Sequence, residues 1–511
     1  MTDCVLALDL GTSSVKALVI DGAGAVHGSA SAGYPVSRPR PGWAEQDPEA
    51  WWRAAVAATR EAVAVAGAAV RVTGIGLSGQ MHGTVLLGAN DAPLGPAIIW
   101  EDQRSWRQVA EITALVGAAR LVEIAGSPVA TGFQAATVRW LQQEDRQRWD
   151  QTRRVLTPGA ELRRRLTGEI ATDPSDGSGT LLLDVRRRDW SDELLDALEI
   201  ARDPLPPVRP AAAVAGVLQP AAASALGLPA GIPVATGGGD AACGLLGAGI
   251  VEPGTMLLSL STGAQVMVPA ATVDPDPQGR THAFCAALEP GPDRPGWYQM
   301  GATLAAGLAM RWLGAEVFAL GVDADAQMAA LAAAAPPGAD GLLFLPYLVG
   351  ERSPHMDPRA RGAFLGLTAG HGRAALARAT LEGVTLAARD AFATLAERGA
   401  RPTRIVIAGG GARGDLWRGV AADVFGLPVH LLATADQAAM GAAVLATAAA
   451  AGADPVATAR TWATAGPAIE PDPARHARYD ELFAIFREAY AGATATAHRL
   501  AAFSDRPPAT G

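Results

Sequence analysis

The chain is almost devoid of lysine. Among 511 residues there is one, Lys16, so the 42 basic residues are 41 arginines and a single lysine. A P-loop needs lysine directly after a glycine run, and Lys16 stands in Ser14-Val15-Lys16-Ala17 instead, which excludes that way of holding a nucleotide. Protein-kinase chemistry is excluded as well, since its lysine and its His-Arg-Asp loop are both missing. Cysteine is scarce too: Cys4, Cys243 and Cys285 are too few and too scattered for a disulfide scaffold or a zinc knuckle. Positive charge is in deficit, with 51 acidic residues and a net charge of −9, so a general nucleic-acid binder is not expected. No apolar run approaches the ~20 residues of a membrane span, and Ala442 to Ala451 is too short and only weakly apolar. Met1-Thr2-Asp3-Cys4 offers no basic leader region. The expectation is a cytoplasmic protein without membrane attachment.

What is present is material for a large core. Hydrophobic residues make up 49% and charged residues 18%, which rules out wholesale disorder. The length suits about three domains or two large ones. The first thirty residues read as a meander: Val5 to Leu8 ends at Asp9, Gly11-Thr12-Ser13-Ser14 is turn chemistry, and Val15, Ala17 and Val19 begin a returning strand. Asp47-Pro48-Glu49 announces a helix through Trp51, Val56 and Val63 towards Gly67. A strand from Val72 to Leu77 then leads into Ser78-Gly79-Gln80-Met81-His82-Gly83. The scheme recurs near the middle. Val234-Ala235-Thr236 enters Gly237-Gly238-Gly239-Asp240, and the small-residue segment Ala241 to Gly249 suits tight helix packing. Met256 to Leu260, Ser261-Thr262-Gly263-Ala264 and Gln265 to Val268 then repeat strand, turn and strand. The mixture points to an α/β protein of two related domains. Boundaries are expected at 245 and 450, giving domains 1–245 and 246–450 and a helical extension over 451–511. The second half reads as largely helical, with a last sheet element at Ile405-Val406-Ile407. Leu381, Val384, Ala388, Phe392 and Leu395 form the stripe of a half-buried helix. A further helix is expected around Tyr479 to Phe486 and a frayed tail from Asp505 to Gly511.

Three glycine-bearing turns carry the chemistry. In Asp9-Leu10-Gly11-Thr12-Ser13 a carboxylate at a strand end can hold magnesium, and the residues after it can wrap phosphate oxygens; an ordinary hairpin turn is the alternative. Ser261-Thr262-Gly263 matches it, and two such turns could clamp one polyphosphate. Gly409-Gly410-Gly411-Ala412-Arg413 follows a strand and would let a flat base approach the backbone; a close-packing turn is the alternative. Asp240 could accept the proton of a substrate hydroxyl, or could simply cap a helix. Gln80-Met81-His82-Gly83 and Trp100-Glu101-Asp102 are the polar and aromatic groups best suited to a sugar. Gly350-Glu351-Arg352-Ser353-Pro354 reads as a polar loop, or as a solvated turn held by a Glu–Arg pair.

In combination these stretches resemble the FGGY carbohydrate kinases, most of all their xylulose kinase branch. The match also takes in Trp43-Ala44-Glu45-Gln46-Asp47-Pro48 and Phe344-Leu345-Pro346-Tyr347, and it runs in order from about residue 5 to 450. The resemblance implies two ribonuclease H-like domains, as in actin and hexokinase, with a cleft between them. It implies ATP-dependent phosphorylation of a ketopentose, D-xylulose to D-xylulose 5-phosphate, with Asp240 as general base. Asp9 would help hold Mg²⁺, and Thr12 and Ser13 would meet the transferring phosphate. Thr262 and Gly263 would form the second phosphate turn, and Gly410, Gly411 and Ala412 would border the adenosine. Met81, His82 and Asp102 would line the sugar pocket beside Asp240. Sugar and ATP are the implied partners, and a homodimer is compatible with the resemblance.

Three positions depart from the family pattern. Ala241 stands where asparagine often follows the catalytic aspartate, Ser261-Thr262-Gly263-Ala264 replaces Gly-Thr-Ser-Gly, and Trp100-Glu101-Asp102 replaces Trp-Asn-Asp. The first and third bear on which sugar is accepted, the second on ATP handling. Other readings are a kinase of ribulose, another ketose or a polyol, an actin-like ATPase without a sugar, or a degenerate sugar sensor.

Overall fold

The computed structural model describes residues 1–292, 294–434 and 436–504. The tail expected from Asp505 to Gly511 lies outside the described residues. The chain divides into two compact units, each assembled from segments distant in sequence.

The first unit comprises Met1–Pro253, Pro269–Tyr298 and Asp436–Thr464. Its sheet starts with β1 (Thr2–Leu10), β2 (Ser14–Asp21) and β3 (Val26–Gly33), an antiparallel meander as the sequence suggests. Helix α1 (Pro48–Ala66) begins as expected: the Asp47 side chain accepts the Glu49 N–H at 2.9 Å and Pro48 occupies the first turn. It lies so close to β3 that a Cβ on Gly28 would meet the Ala62 carbonyl oxygen at 2.0 Å. Strand β4 (Val70–Gly79) then runs parallel to β1. Strands β5 (Val214–Val217) and β6 (Pro233–Ala235) extend the sheet in the order β5-β6-β4-β1-β2-β3, and Gly238–Gly239 pairs with the end of β4 off that path. Helix α2 (Asp240–Gly247) follows the last strand. The core is built from Leu6, Leu8, Val15, Val19, Trp51, Ile75 and their neighbours.

A helix from near the other end of the chain, Gln437–Ala451, belongs to this unit. Straight cuts at residues 245 and 450 therefore differ from the observed units. The physical reason is backbone contact that only small residues permit. A Cβ on Gly76 of β4 would sit 1.9 Å from the Ala442 carbonyl oxygen, and one on Gly441 would sit 1.9 Å from that of Cys243 in α2.

The second unit comprises Gly254–Val268, Gln299–Ala435 and Ala465–Gly511. Strands β7 (Thr255–Leu260) and β8 (Ala264–Ala270) form its hairpin, and β9 (Trp297–Thr303) lies beside β8. Helix α3 (Arg373–Glu397) carries the Leu381, Val384, Ala388 and Leu395 stripe into the core. Strand β10 (Arg404–Ala408) pairs parallel with β7, helix α4 (Asp415–Phe425) follows, and β11 (Val429–Leu432) pairs parallel with β10. An antiparallel edge, β12 (Ala465–Ile469), ends the sheet. The sheet thus continues past Ile405–Ile407, where the sequence suggested it stops. Strand β11 is only four residues long, and β12 is Ala-Gly-Pro-Ala-Ile, so neither has a recognisable strand pattern. Helix α5 (Pro473–Ser504) closes the unit, with Tyr479 and Phe486 fully buried.

From β3 to β6 in the first unit, and from β9 to β11 in the second, the strands follow the same order with the same antiparallel hairpin followed by parallel pairing. This is the duplicated ribonuclease H-like arrangement of the actin and hexokinase ATPases. Among the described residues no helix is long and apolar enough to cross a membrane. All three cysteines are free and buried.

Candidate active site

The carboxyl ends of parallel strands collect functional groups, because the chain must leave the sheet there and its loops face one side. In the first unit Asp9 of β1 pairs with Ser78 of β4, and Ser78 pairs with Gly238 in the extended Gly238–Gly239 segment after β6. Asp240 comes next, as the first residue of α2. The helix cap is Gly239, not Asp240, and the Asp240 carboxylate accepts the Ala241 N–H at 2.8 Å. The capping role weighed for Asp240 therefore falls to its neighbour. Burial, and then the Asp9 charge, push the Asp240 carboxyl up to about 7. Asp9 is raised by burial as well, with Asp436 adding to the effect and the Ser78 hydroxyl and Lys16 opposing it. Lys16, the single lysine, donates to Asp436 at 2.5 Å.

Met81 is buried against the glycine that precedes Asp240, and His82 follows it in the chain. A Cβ on Gly239 would meet the Met81 Cγ and Sδ at 2.8 Å, so the absence of a side chain there lets Met81 lie against the backbone next to the carboxylate. The Tyr298 hydroxyl reaches Met81 Sδ at 3.9 Å. His82 adopts a left-handed backbone (φ 74°), and its Nδ1 donates to the Gly179 carbonyl at 2.7 Å. Its ring lies against Phe133, with centroids 4.0 Å apart. The sequence did not point to the turn beneath. Asp173 accepts from the Ser175 hydroxyl at 2.5 Å, and the Ser175 Oγ in turn accepts the Gly239 N–H at 3.0 Å. Asp176 is buried beside them and is pushed up to about 7 by burial and then by Asp173. Pro174 after Asp173 signals the helix start, but nothing in the sequence ties that turn to Gly239, because the two are more than sixty residues apart.

The first hairpin turn is held from below. Gln46 donates to the Thr12 carbonyl at 2.6 Å and accepts from Trp51 and from Gln80. The Tyr34 hydroxyl donates to the Gly11 carbonyl. Gln80 is 1% exposed, so it supports this turn and is not open to a sugar. The Thr12 hydroxyl accepts from the Trp100 indole at 2.9 Å, which leaves its own proton to donate, and Ser13 is exposed at the tip. Asp102 is 1% exposed and has both oxygens engaged: Oδ2 takes the Ala44 N–H at 2.7 Å, and Arg104 contacts both oxygens. Its observed work is to fix the loop that carries Trp100. Glu101 pairs with Arg38.

In the second unit the two remaining glycine turns are brought together. Strands β7 and β10 are parallel neighbours, so the turn Ser261–Ala264 after the one and the run Gly409–Gly411 after the other leave the sheet side by side. Gly409 has a φ of 90°, and a Cβ there would meet the Leu260 carbonyl oxygen at 2.3 Å, so glycine is required. Ser261, Thr262, Gly409 and Gly410 are exposed, whereas Ala412 is fully buried and contributes only packing. Arg311 donates to the Thr262 hydroxyl at 3.3 Å.

Whether Asp9 suits a divalent cation can be judged from its own oxygens. Its Oδ1 is buried and has no hydrogen-bond partner. An unpaired buried carboxylate oxygen costs stability unless a cation, or a water bound to one, completes it. A magnesium ion that travels with ATP needs only one or two carboxylates from the protein, since phosphates and waters fill the rest of its shell. Asp9 fits that demand.

Known proteins share this arrangement. A xylulose kinase of Escherichia coli K12 is 38% identical over 442 residues, covering 86% of this chain and 89% of that protein. The crystal structure of a xyloylose kinase from Brucella ovis superposes with a TM-score of 0.89 at 38% identity, covering 96% of this chain and all of that one. That of a xylulose kinase from Rhodospirillum rubrum gives 0.89 at 34% identity over 97% of this chain and 100% of that chain. The family models for the N-terminal and C-terminal domains of the FGGY carbohydrate kinases match residues 4–247 and 256–450. With a carboxylate at the head of α2, hairpin turns bearing Thr, Ser and Gly at the strand ends of both units and these matches over nearly the whole length, the chain belongs to the FGGY family of carbohydrate kinases, enzymes that transfer phosphate from ATP to a sugar with a divalent metal.

Proposed function

We propose that the chain phosphorylates D-xylulose at its O5 hydroxyl, with Asp240 as general base. The observation that carries this reading is the placement of Asp240: a carboxylate raised to about 7 at a helix start, with Met81 packed against the glycine before it. A base with that pKa is ionised in roughly half the molecules at neutral pH and still attracts a proton well, which is the compromise general-base catalysis favours. Met81 would give the sugar an apolar face. His82, with Nδ1 committed to Gly179, would be held in one orientation towards its hydroxyls. Ser175 and Asp173 keep the Gly239 backbone, and with it the carboxylate, in place before substrate arrives.

Thr12 and Ser13 would contact the transferring phosphoryl group, and Thr262, Gly263 and the Gly409–Gly411 run would hold the nucleotide. We assign Asp9 to Mg²⁺. When bound, the ion neutralises charge on the ATP phosphates and, by its own charge, favours the ionised forms of Asp9 and Asp240. Asp102 enters this reading indirectly, through the loop that brings Trp100 to Thr12. The reading places the enzyme in the cytoplasm, where ATP is available, and leaves assembly into a homodimer to a sedimentation measurement.

The test is a sugar panel with purified protein, ATP and Mg²⁺ in a coupled ADP-release assay. D-xylulose should give the highest kcat/KM, exceeding D-ribulose and simple polyols by at least about tenfold, and the product should carry its phosphate on C5. A different preferred sugar, or ADP release indifferent to sugar, would refute the assignment.

A further inference from the structure

The polar loop Gly350-Glu351-Arg352-Ser353-Pro354 has no part in the chemistry above, and its structure is not that of a solvated turn. Glu351 is 3% exposed. Its Oε1 accepts two backbone N–H groups, from Leu304 at 2.9 Å and from Arg352 at 2.7 Å, while Oε2 is buried without a partner. The loop also joins the end of β9, where the Ser353 N–H donates to the Ala302 carbonyl at 2.8 Å. From Leu304 the chain turns directly under the second phosphate turn: Ala306 and Leu308 donate to the Thr262 carbonyl at 2.8 and 3.0 Å, and Gly307 donates to that of Ser261 at 2.8 Å. Gly263 presses on the same segment, since a Cβ there would meet the Thr303 carbonyl oxygen at 2.3 Å.

We infer that Glu351 is a positioning residue for ATP: by holding the Leu304 N–H it sets the 304–308 segment, whose N–H groups fix the Ser261–Ala264 turn that receives the nucleotide phosphates. This rests on the reading of that turn as a phosphate site. Burial pushes the Glu351 carboxyl up to about 8, so at neutral pH it serves as a neutral acceptor, a role that glutamine can fill with the same shape. Aspartate keeps the acid but is one methylene too short to reach Leu304.

The experiment measures KM for ATP, KM for sugar and nucleotide affinity by calorimetry with ADP, in the full-length chain at pH 7. Glu351→Ala and Glu351→Asp should raise KM for ATP and weaken ADP binding by about tenfold, the scale of one lost buried hydrogen bond, with KM for sugar within twofold of the parent. Glu351→Gln should restore most of the ATP affinity. Gly263→Ala, which disturbs the turn directly, serves as the reference. If Gly263→Ala leaves ADP binding intact, the turn is not a phosphate site and the underlying reading fails. If Gly263→Ala weakens ADP binding but a folded Glu351→Asp does not, the positioning role alone is overturned. Equal losses of ATP and sugar affinity in the Glu351 variants, or a Gln variant as impaired as Asp, would also overturn it. Should Glu351→Ala not fold, the Asp and Gln variants decide the matter by themselves.

Discussion

The Asp240 carboxyl is a much weaker acid here than in a free chain, and the difference has measurable consequences in two directions. Without the metal it is raised to about 7 by burial and by Asp9, and a bound Mg²⁺ draws that value down, so activity that depends on the ionised form should fall on the acid side with a midpoint below about 7. A plot of log kcat/KM for sugar against pH should show that limb with a slope of one; a profile flat down to pH 5 would contradict it. The stability effect has the opposite sense. Between about pH 4 and 7 the folded chain holds a proton at Asp240 that the unfolded chain has released, so stability declines as pH rises through that window and levels off above it. Asp240→Asn removes the ionised form, and its Tm should exceed the parent's at pH 8 by about 2 °C, with the gap closing towards pH 5. For Asp9, whose Oδ1 has no protein partner, Asp9→Asn should raise the Mg²⁺ concentration needed for half-maximal activity by about tenfold or more. An unchanged Mg²⁺ titration would move the metal elsewhere. Residue identity made these two aspartates visible in the sequence, because Asp9 lies near a strand end before Gly11 and Asp240 directly follows a run of three glycines. Asp102 shows the limit of such reading. A buried carboxylate paired with Arg104 and one lining a pocket look alike until the partners are placed.

At the scale of elements, the segments that were easiest to read are those with a local signal. Helix α1 has its capping aspartate and proline, and the hairpins have their turn residues. The helix Gln437–Ala451 is the counter-example. Its alanines and glycine gave no amphipathic stripe, and its true partner, α2, is almost two hundred residues away. The small residues of both segments are what permit the contact, as Gly441 against Cys243 shows. Gly441→Val should therefore destabilise the protein by at least about 3 kcal/mol, because backbone cannot move aside as a flexible side chain can. Urea denaturation followed by tryptophan fluorescence would check it. A loss below about 1 kcal/mol would mean that the two helices do not approach as closely as described.

Over the whole molecule, the repeated order of strands was legible from two similar Thr/Ser/Gly hairpins, whereas the recrossing of the chain was not, since no local pattern records which unit a returning segment joins. The carboxyl-terminal helix makes the same point. A reading of 451–511 as an extension suggests something dispensable, yet Tyr479 and Phe486 of α5 are fully buried in the core of the second unit, and the Tyr479 hydroxyl donates to Glu382 at 2.6 Å. A chain ended at Glu470 should lose cooperative unfolding in calorimetry, and a truncated protein that melts like the parent would refute this. The central claim, that the Asp240 carboxylate takes the proton from the sugar hydroxyl, is tested most directly by turnover of Asp240→Asn at saturating sugar and Mg²⁺-ATP. The predicted result is a fall in kcat of roughly 10²–10⁴-fold, with ADP affinity by calorimetry within about twofold of the parent. Turnover close to the parent's would contradict it.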